Sequence, residues 1–347
     1  MSHIPINILS IGGMDGKSNT CLHRHWALEK IASNIDVVNT STKWNLWCRI
    51  AYHLFLYGFP IQLPDAKNVN KEIIKKITCN HYDIVWIDKG ITIYPETLKE
   101  IKKKSPETKI ISYSPDNMAL RHNQSQQYIE CIPLYDYIIT NKSYIIGDMK
   151  KLGAKEVFFV NNSYSEEFHK PYKLTKEEKE YLGGDVGFIG AWEKERCESI
   201  LYLADNGVKV KVFGDAKWNK YTNYSPNLTI MGHFLGNENY CKSLNAFRIS
   251  LCFLRKMNFD TQTTRSVEIP ACGGFMMAER TDEHLNMFEE GKEAAFFSSN
   301  EELLQKCLYY LTHEEERKNI AEAGRKRAIV SGYSNESMIE NIISSIL

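Results

Sequence analysis

The order of apolar and polar segments constrains this chain more than any single residue does. From Ile6 to Val160, short apolar runs alternate with stretches of helical period. The runs are INILSI (6–11), DVV (36–38), DIVWID (83–88), KIISYS (109–114), YDYIIT (135–140) and EVFFV (156–160), and helical patterns cover Thr20–Ile31, Glu96–Lys104 and Tyr144–Leu152. Near-continuous apolar strands joined by crossovers long enough to hold a helix predict a parallel sheet covered on both faces. Residues 161–185 then carry turn formers and charge with no apolar period, and read as an interdomain connection. Alternation restarts with DVGFIG (185–190), VKVKVFG (208–214), NLTIMG (227–232), ISLCFL (249–254), FMMA (275–278) and AAFF (294–297), with helices expected over 196–206, 239–247, from Thr264, over 300–312 and over 314–330. The reading is α/β with two Rossmann-like domains, 1–165 and 166–334. A C-terminal helix, 335–347, is expected to pack back on the first.

Size and charge agree. At roughly 100–200 residues per domain, 347 residues make two. Forty-three basic residues balance 43 acidic ones, so the chain lacks the basic footprint of a nucleic-acid binder, and none is expected as partner. The nine cysteines include no Cys-x-x-Cys pair and read as reduced, mostly buried thiols. No apolar run reaches the roughly 18 residues of a spanning helix, and a cytoplasmic location is expected. Segment 44–60, WNLWCRIAYHLFLYGFP, is crowded with aromatics. It could lie on the inner face of a membrane in weak contact, but its mostly apolar circumference fits a helix packed inside the first domain better.

Two stretches carry candidate chemistry. The first is Gly12-Gly13-Met14-Asp15-Gly16-Lys17-Ser18, after the first strand. A phosphate-cradling loop reads GxxxxGK[ST], and this turn is one residue short of the length its wrap of backbone N–H groups needs. An ATPase is therefore disfavoured. A Gly-rich turn at a strand's carboxyl end remains, where open sheets place ligands, so Gly12 and Gly13 are binding candidates.

The second stretch is 258–279, NFDTQTTRSVEIPACGGFMMAE. Thr263 or Thr264 can cap a short helix whose N-terminal N–H groups favour a phosphate, with the guanidinium of Arg265 beside it. One turn on, Glu268 can accept both hydroxyls of a ribose. Pro270 ends or kinks the helix and Gly273-Gly274 turns the chain into FMMA.

Here the sequence resembles a known family. TTRSVEIPACGGF, MFEEGKEAAFFSSNEELLQKCLYYL, DVGFIGAWEKER, VKVFGDAKW and the connection VNNSYSEEFHKP look like the C-terminal half of group-1 glycosyltransferases of the GT-B fold, in the branch of spore-maturation CgeB-type proteins. The resemblance covers roughly residues 156–334. In the first domain only DIVWIDKG and YSPDN match locally.

The resemblance implies two Rossmann-like domains facing a cleft, with a nucleoside diphosphate sugar held mainly by the second. It implies that Glu268 binds the ribose as the second glutamate of a paired-carboxylate motif. Asp260 stands eight residues earlier, where the family has a longer glutamate that touches the donor sugar. Gly190 matches the glycine that lets the backbone approach the diphosphate, with Arg196 as a neutralising cation. Gly214 and the turn Gly232-His233-Phe234 lie where the base binds. Asp116, in SYSPDN, occupies the position of a polar residue over sugar or acceptor, although an Asp before Asn is also an ordinary turn former. Asp116 and Asp260 are thus the catalytic candidates. No Asp-x-Asp metal site is seen, so Arg, backbone amides and helix dipoles are expected to stabilise the leaving group.

The expected activity is metal-independent transfer of a sugar from a UDP-, GDP- or dTDP-sugar, UDP favoured, to a hydroxyl of a glycan, lipid-linked or protein acceptor, with no prosthetic group. The alternatives are an epimerase or hydrolase of the same fold, or a non-catalytic sugar-nucleotide-binding protein.

Overall fold

The computed structural model describes residues 4–42 and 45–347; Lys43 and Trp44, at the head of the aromatic segment, lie outside the described residues. The chain divides into two compact units. One runs to Asn161 and takes in Ile339–Leu347; the other is Asn162–Met338.

The first unit is a six-stranded sheet of β1 (Ile4–Gly12), β2 (Ala32–Asn39), β3 (Ile84–Asp88), β4 (Lys109–Ser114), β5 (Tyr137–Thr140) and β6 (Glu156–Phe159), in the order β2-β1-β3-β4-β5-β6. Every pairing is parallel. Helices α1 (Thr20–Ile31), α2 (Leu46–Leu56), α3 (Val69–Cys79), α4 (Pro95–Lys104), α5 (Gln126–Cys131) and α6 (Ile146–Lys151) fill the crossovers. All five residues of β3 are buried, as a central parallel strand with both faces covered requires. Leu9, Ile11, Val85, Ile87 and Ile110 pack against Ile73 of α3 and Leu98 of α4 to make the core. Asn19 starts α1, its Oδ1 accepting from the Cys21 N–H at 2.9 Å.

The second unit repeats the plan with β7 (Gly184–Ile189), β8 (Val210–Phe213), β9 (Leu228–Ile230), β10 (Phe247–Cys252), β11 (Met276–Glu279) and β12 (Ala295–Phe297), again all parallel, in the order β12-β11-β10-β7-β8-β9. Counted from its own first strand, this is the 3-2-1-4-5-6 order of dinucleotide-binding sheets. Its helices are α7 (Lys176–Leu182), α8 (Lys194–Asp205), α9 (Glu238–Ala246), α10 (Arg265–Ala271), α11 (Asp282–Met287), α12 (Asn300–Thr312) and α13 (Glu314–Val330). Helix α14 (Asn335–Ile346) follows, and its residues from Ile339 on belong to the first unit.

Two expectations need correction. Residues 161–185 are not a bare connection: nearly all fall in the second unit, and α7 forms among them. Its start is a capping box in which Thr175 Oγ1 accepts from the Glu178 N–H at 3.2 Å and Glu178 Oε2 accepts from the Thr175 N–H at 2.9 Å. Nor is the aromatic segment a core helix. Only Cys48, Ala51 and Phe55 of α2 are buried, one stripe at i, i+3 and i+7. Leu46, Trp47 and Tyr57 are 75%, 69% and 71% exposed. Among the described residues, no helix is long and apolar enough to cross a membrane.

Strand order reverses between β1 and β3 in the first unit and between β7 and β10 in the second. In open parallel sheets, crevices for ligands open at the carboxyl ends of the strands on either side of such a reversal.

Candidate functional site

In the first unit the reversal holds a cavity of about 390 Å³. Its walls come from four strand ends: Ile11 and Gly13 after β1, Thr40 and Ser41 after β2, Ile87 to Ile93 after β3, and Pro115 and Asp116 after β4, with Asn19, Thr20, Cys21 and Arg24 from the start of α1. Gly12 makes this convergence fit, because a Cβ there would stand 2.3 Å from Cys21 Sγ and 3.0 Å from Asp88 Cβ.

The charges of this cavity are paired. Arg24 and Asp88, both buried, form a two-pronged contact with Nε–Oδ2 at 2.6 Å and Nη2–Oδ1 at 2.9 Å. The Arg24 guanidinium also lies 4.2 Å from the Tyr113 ring centroid. Lys89 Nζ meets Asp116 Oδ2 at 2.5 Å. Burial, reinforced by Asp88, pushes the Cys21 thiol far above its ordinary range, so it stays protonated and is a poor nucleophile.

The structure brings Gly13 and Asp116 onto one cavity, which sequence spacing alone cannot do. It leaves the Gly12–Ser18 turn unlike a phosphate cradle. The Asn19 side chain spans it, donating to the carbonyls of Gly13 at 2.9 Å and Asp15 at 3.1 Å, and Lys17 is exposed.

In the second unit the reversal is lined by arginines. Arg196, near the start of α8, is 3% exposed, and its Nη1 donates to the Ala191 carbonyl at 3.3 Å. Its Nε and Nη2 are buried with no hydrogen-bond partner among the described residues. Arg265, at the start of α10, donates from Nε to the Ile189 carbonyl at 2.8 Å, and its Nη2 would lie 3.3 Å from a Cβ on Gly190. Arg255 follows β10. The carboxylate serving this group is Glu193, 3.5 Å from Arg196 and 3.2 Å from Arg255. Burial first, then the neighbouring charge of Arg265, lowers Arg196 to about 10. Neighbouring cations, one of them with unmet buried donors, are an arrangement that an anion relieves.

Gly214 sets the backbone of this crevice: its Cβ would stand 2.3 Å from the Gly190 carbonyl oxygen, which accepts from Trp218 Nε1 at 3.0 Å. Gly190, Gly214, Arg196 and Arg265 are therefore one cluster. Glu268 lies one turn beyond Arg265 and is a buried carboxylate, 4% exposed. Tyr240 Oη donates to its Oε2 at 2.5 Å, and His169 Nε2 stands 3.4 Å from its Oε1. The Ser165 N–H donates to His169 Nδ1 at 2.9 Å, which leaves the ring proton on Nε2, toward Glu268. Burial holds His169 down at about 3 and Tyr240 well above its ordinary value, so both are neutral.

Thr264 does not cap α10. Its own backbone is helical (φ −56°, ψ −34°) and its side chain makes no cap bond; the Thr263 N–H is met instead by Ser266 Oγ at 3.1 Å. Asp260 sits in the loop after β10, its N–H bonded to the Arg255 carbonyl at 3.1 Å, next to Phe259, whose φ of 54° is left-handed. Such strain in a non-glycine residue is found most often at functional loops. His233 lies after β9 at the opposite side of the crevice, exposed, with Nδ1 2.8 Å from the Met231 carbonyl and Nε2 3.4 Å from Tyr181 Oη.

Sequence reading missed Arg255, Glu193, Lys89, and the Tyr240 and His169 partners of Glu268. A signal existed for Arg255 and Lys89, since each is a cation one to three residues past a buried strand end.

Comparison with known proteins gives first a class. Residues 195–344 match the glycosyl transferase-like family, and the fold is the GT-B type, two Rossmann-like domains. Among solved structures, HepE of Anabaena in complex with UDP and glucose is 13% identical, with a TM-score of 0.62 over 98% of this chain and 100% of its own. The N-terminal domain of trehalose-6-phosphate phosphatase from Candida albicans is 12% identical, with a TM-score of 0.65 over 99% and 98%. Sucrose-phosphate synthase of Thermosynechococcus elongatus is 9% identical, with a TM-score of 0.61 over 99% and 98%. What is shared at these identities is the fold. No curated protein matches the chain.

Proposed function

We propose that the chain is a glycosyltransferase that takes a sugar from a nucleoside diphosphate donor and passes it to a hydroxyl acceptor. One observation carries this reading: at the strand reversal of a sheet in dinucleotide-binding order, within the glycosyl transferase-like segment, Arg196 holds two buried, unpartnered donors beside Arg265 and the Gly190 turn. In this reading Arg196, Arg255 and Arg265 hold the diphosphate, with Thr264 at its edge, and Gly190 and Gly214 keep the backbone close. Glu268, oriented by Tyr240 and His169, takes the ribose. His233 flanks the base and Asp260 reaches the donor sugar. In the first unit Asp116, held by Lys89, and the Gly12–Gly13 turn serve the acceptor.

The bond from the sugar's anomeric carbon to the diphosphate oxygen breaks, the acceptor oxygen bonds that carbon, and the acceptor's proton is released. The guanidiniums stabilise the charge that builds on the departing diphosphate, in a site where burial strengthens each interaction. UDP is the favoured nucleotide; the HepE structure that shares the fold holds UDP and glucose. We place the chain in the CgeB-type branch and in the cytoplasm, with a glycan, lipid-linked or protein acceptor.

A thermal-shift screen of UDP-, GDP-, dTDP- and CMP-sugars tests the binding half, since a ligand at a hundred times its Kd stabilises by about 2.7 kcal/mol. Donor consumption, with and without acceptor, tests the chemistry. Acceptor-dependent release of nucleoside diphosphate is expected; consumption without acceptor favours an epimerase or hydrolase, and binding without turnover a non-catalytic protein.

A further inference from the structure

The exposed face of α2 is unexplained by sugar transfer. Leu46, Trp47, Ile50, Leu54 and Leu56 stand out along it, and Tyr57 and Phe59 continue the surface past its end, each between 38% and 75% exposed. A concentration of exposed apolar side chains of this kind marks an interaction site, and its mixture of aliphatics with Trp and Tyr suits a boundary between water and hydrocarbon.

Charge says which boundary. No Asp or Glu occurs between Asp36 and Asp65, and none between Asp116 and Glu130. The second of these acid-free stretches packs on the first: the turn Arg121–Asn123 contacts α2, and Arg121 lies beside Gly58, its Cγ 3.5 Å from where a Cβ would stand. Arg49 and His53 are exposed on α2 itself. Arg121 Nη1 and His122 Nε2 are buried beneath it with no hydrogen-bond partner among the described residues. The patch is thus apolar and basic together, the complement of anionic headgroups over acyl chains.

We propose that α2 and the turn Tyr57–Pro60 dock the first unit on an anionic lipid bilayer, the helix lying in the interface plane with Trp47 and Tyr57 inserted, Arg49 against headgroup phosphates and the partly buried Arg121 adding to the positive field behind them. The docking surface is joined to the cavity by only a few residues, since Ser41 lines that cavity and Asn45 caps α2. This assignment does not rest on the chemistry: nucleotide binding is read separately from lipid binding.

The test is co-sedimentation of the full chain with vesicles of phosphatidylcholine alone and of phosphatidylcholine mixed with phosphatidylglycerol, with UDP thermal shift as the parallel readout. Binding to the mixed vesicles, weakened by salt and much lower on phosphatidylcholine alone, is expected. Trp47→Ser with Tyr57→Ser should weaken it on the order of tenfold or more, and Arg49→Gln about fivefold, the share of one cation at an anionic surface. Both variants should keep the wild-type nucleotide response and melting temperature, because the substituted side chains are exposed. Absence of binding to mixed vesicles, or equal binding by the double variant, overturns the proposal. So does a light-scattering mass of a dimer that Trp47→Ser converts to a monomer, which would give the face to a second copy of the chain.

Discussion

The two strand reversals are built alike and charged differently. In the first crevice each lining cation has an acid of its own: Arg24 meets Asp88 and Lys89 meets Asp116. In the second, Arg196 and Arg255 share the single carboxylate of Glu193, and the charge of Arg265 bears on Arg196 as well. Charge in the first crevice is spent inside the protein, so the cavity left over is polar and near neutral and suits an uncharged, hydroxyl-rich guest. Charge in the second is left for a ligand. Identical topology can thus place an anion site and a neutral site at equivalent points, and what separates them is the distribution of carboxylates.

The largest effect should fall on the paired side. Asp88→Ala leaves the Arg24 guanidinium buried and uncompensated, which costs about 3–5 kcal/mol, and chemical denaturation should show it. Arg196→Met should be close to neutral or stabilising by the same measurement, since it removes a buried cation that lacks full compensation, while calorimetry shows nucleoside diphosphate binding weakened by about 1.5–3 kcal/mol. If Arg196→Met unfolds the chain as Asp88→Ala does, the contrast between the two crevices fails. Arg265→Lys refines the same point: a forked contact to phosphate is not reproduced by an ammonium, so affinity should fall without loss of stability.

Acidification should bear on the second unit through His169. Because burial holds His169 at about 3 in the folded chain against about 6.5 unfolded, the unfolded state binds the extra proton between these values. The stability this neutral ring contributes is complete above about pH 6.5 and falls as pH drops toward 3, by up to about 1.4 kcal/mol per pH unit. Urea titrations at pH 7 and pH 5 should therefore show a loss that His169→Asn reduces; an equal loss in both proteins refutes the role of this group.

Smaller effects are expected at the rim of the first cavity. Asp116→Asn and Lys89→Ala break a half-exposed pair worth less than about 1 kcal/mol. Turnover should drop while nucleoside diphosphate affinity holds. Wild-type turnover in both variants would leave the acceptor side without its proposed carboxylate.

How much of this could be read in advance follows from what parallel sheets demand. Strands such as DIVWID are buried on both faces and show as apolar runs, so twelve strands and their alternation were legible. Gly12 could be marked in advance as a tight turn at a strand's carboxyl end, Arg265 by its place at the start of a helix, and Gly190 through the family resemblance alone. The support of Glu268 was not: Tyr240 and His169 reach it from 28 and 99 residues away, and no local pattern encodes that convergence. Segment 44–60 misled for the opposite reason. Apolar composition reports a preference for leaving water, and among the described residues of this helix only Cys48, Ala51 and Phe55 are buried.

The first unit is not continuous in sequence. Its final piece, Ile339–Leu347, arrives after the whole of the second unit, and it carries Ile339 and Ile343, both fully buried. During synthesis, which proceeds at about 5–20 residues per second, the second sheet can close while the first still lacks these side chains. The domain translated first is then the domain completed last, and a chain cut short within α14 would keep the second sheet and its arginines while the first unit lacked Ile343.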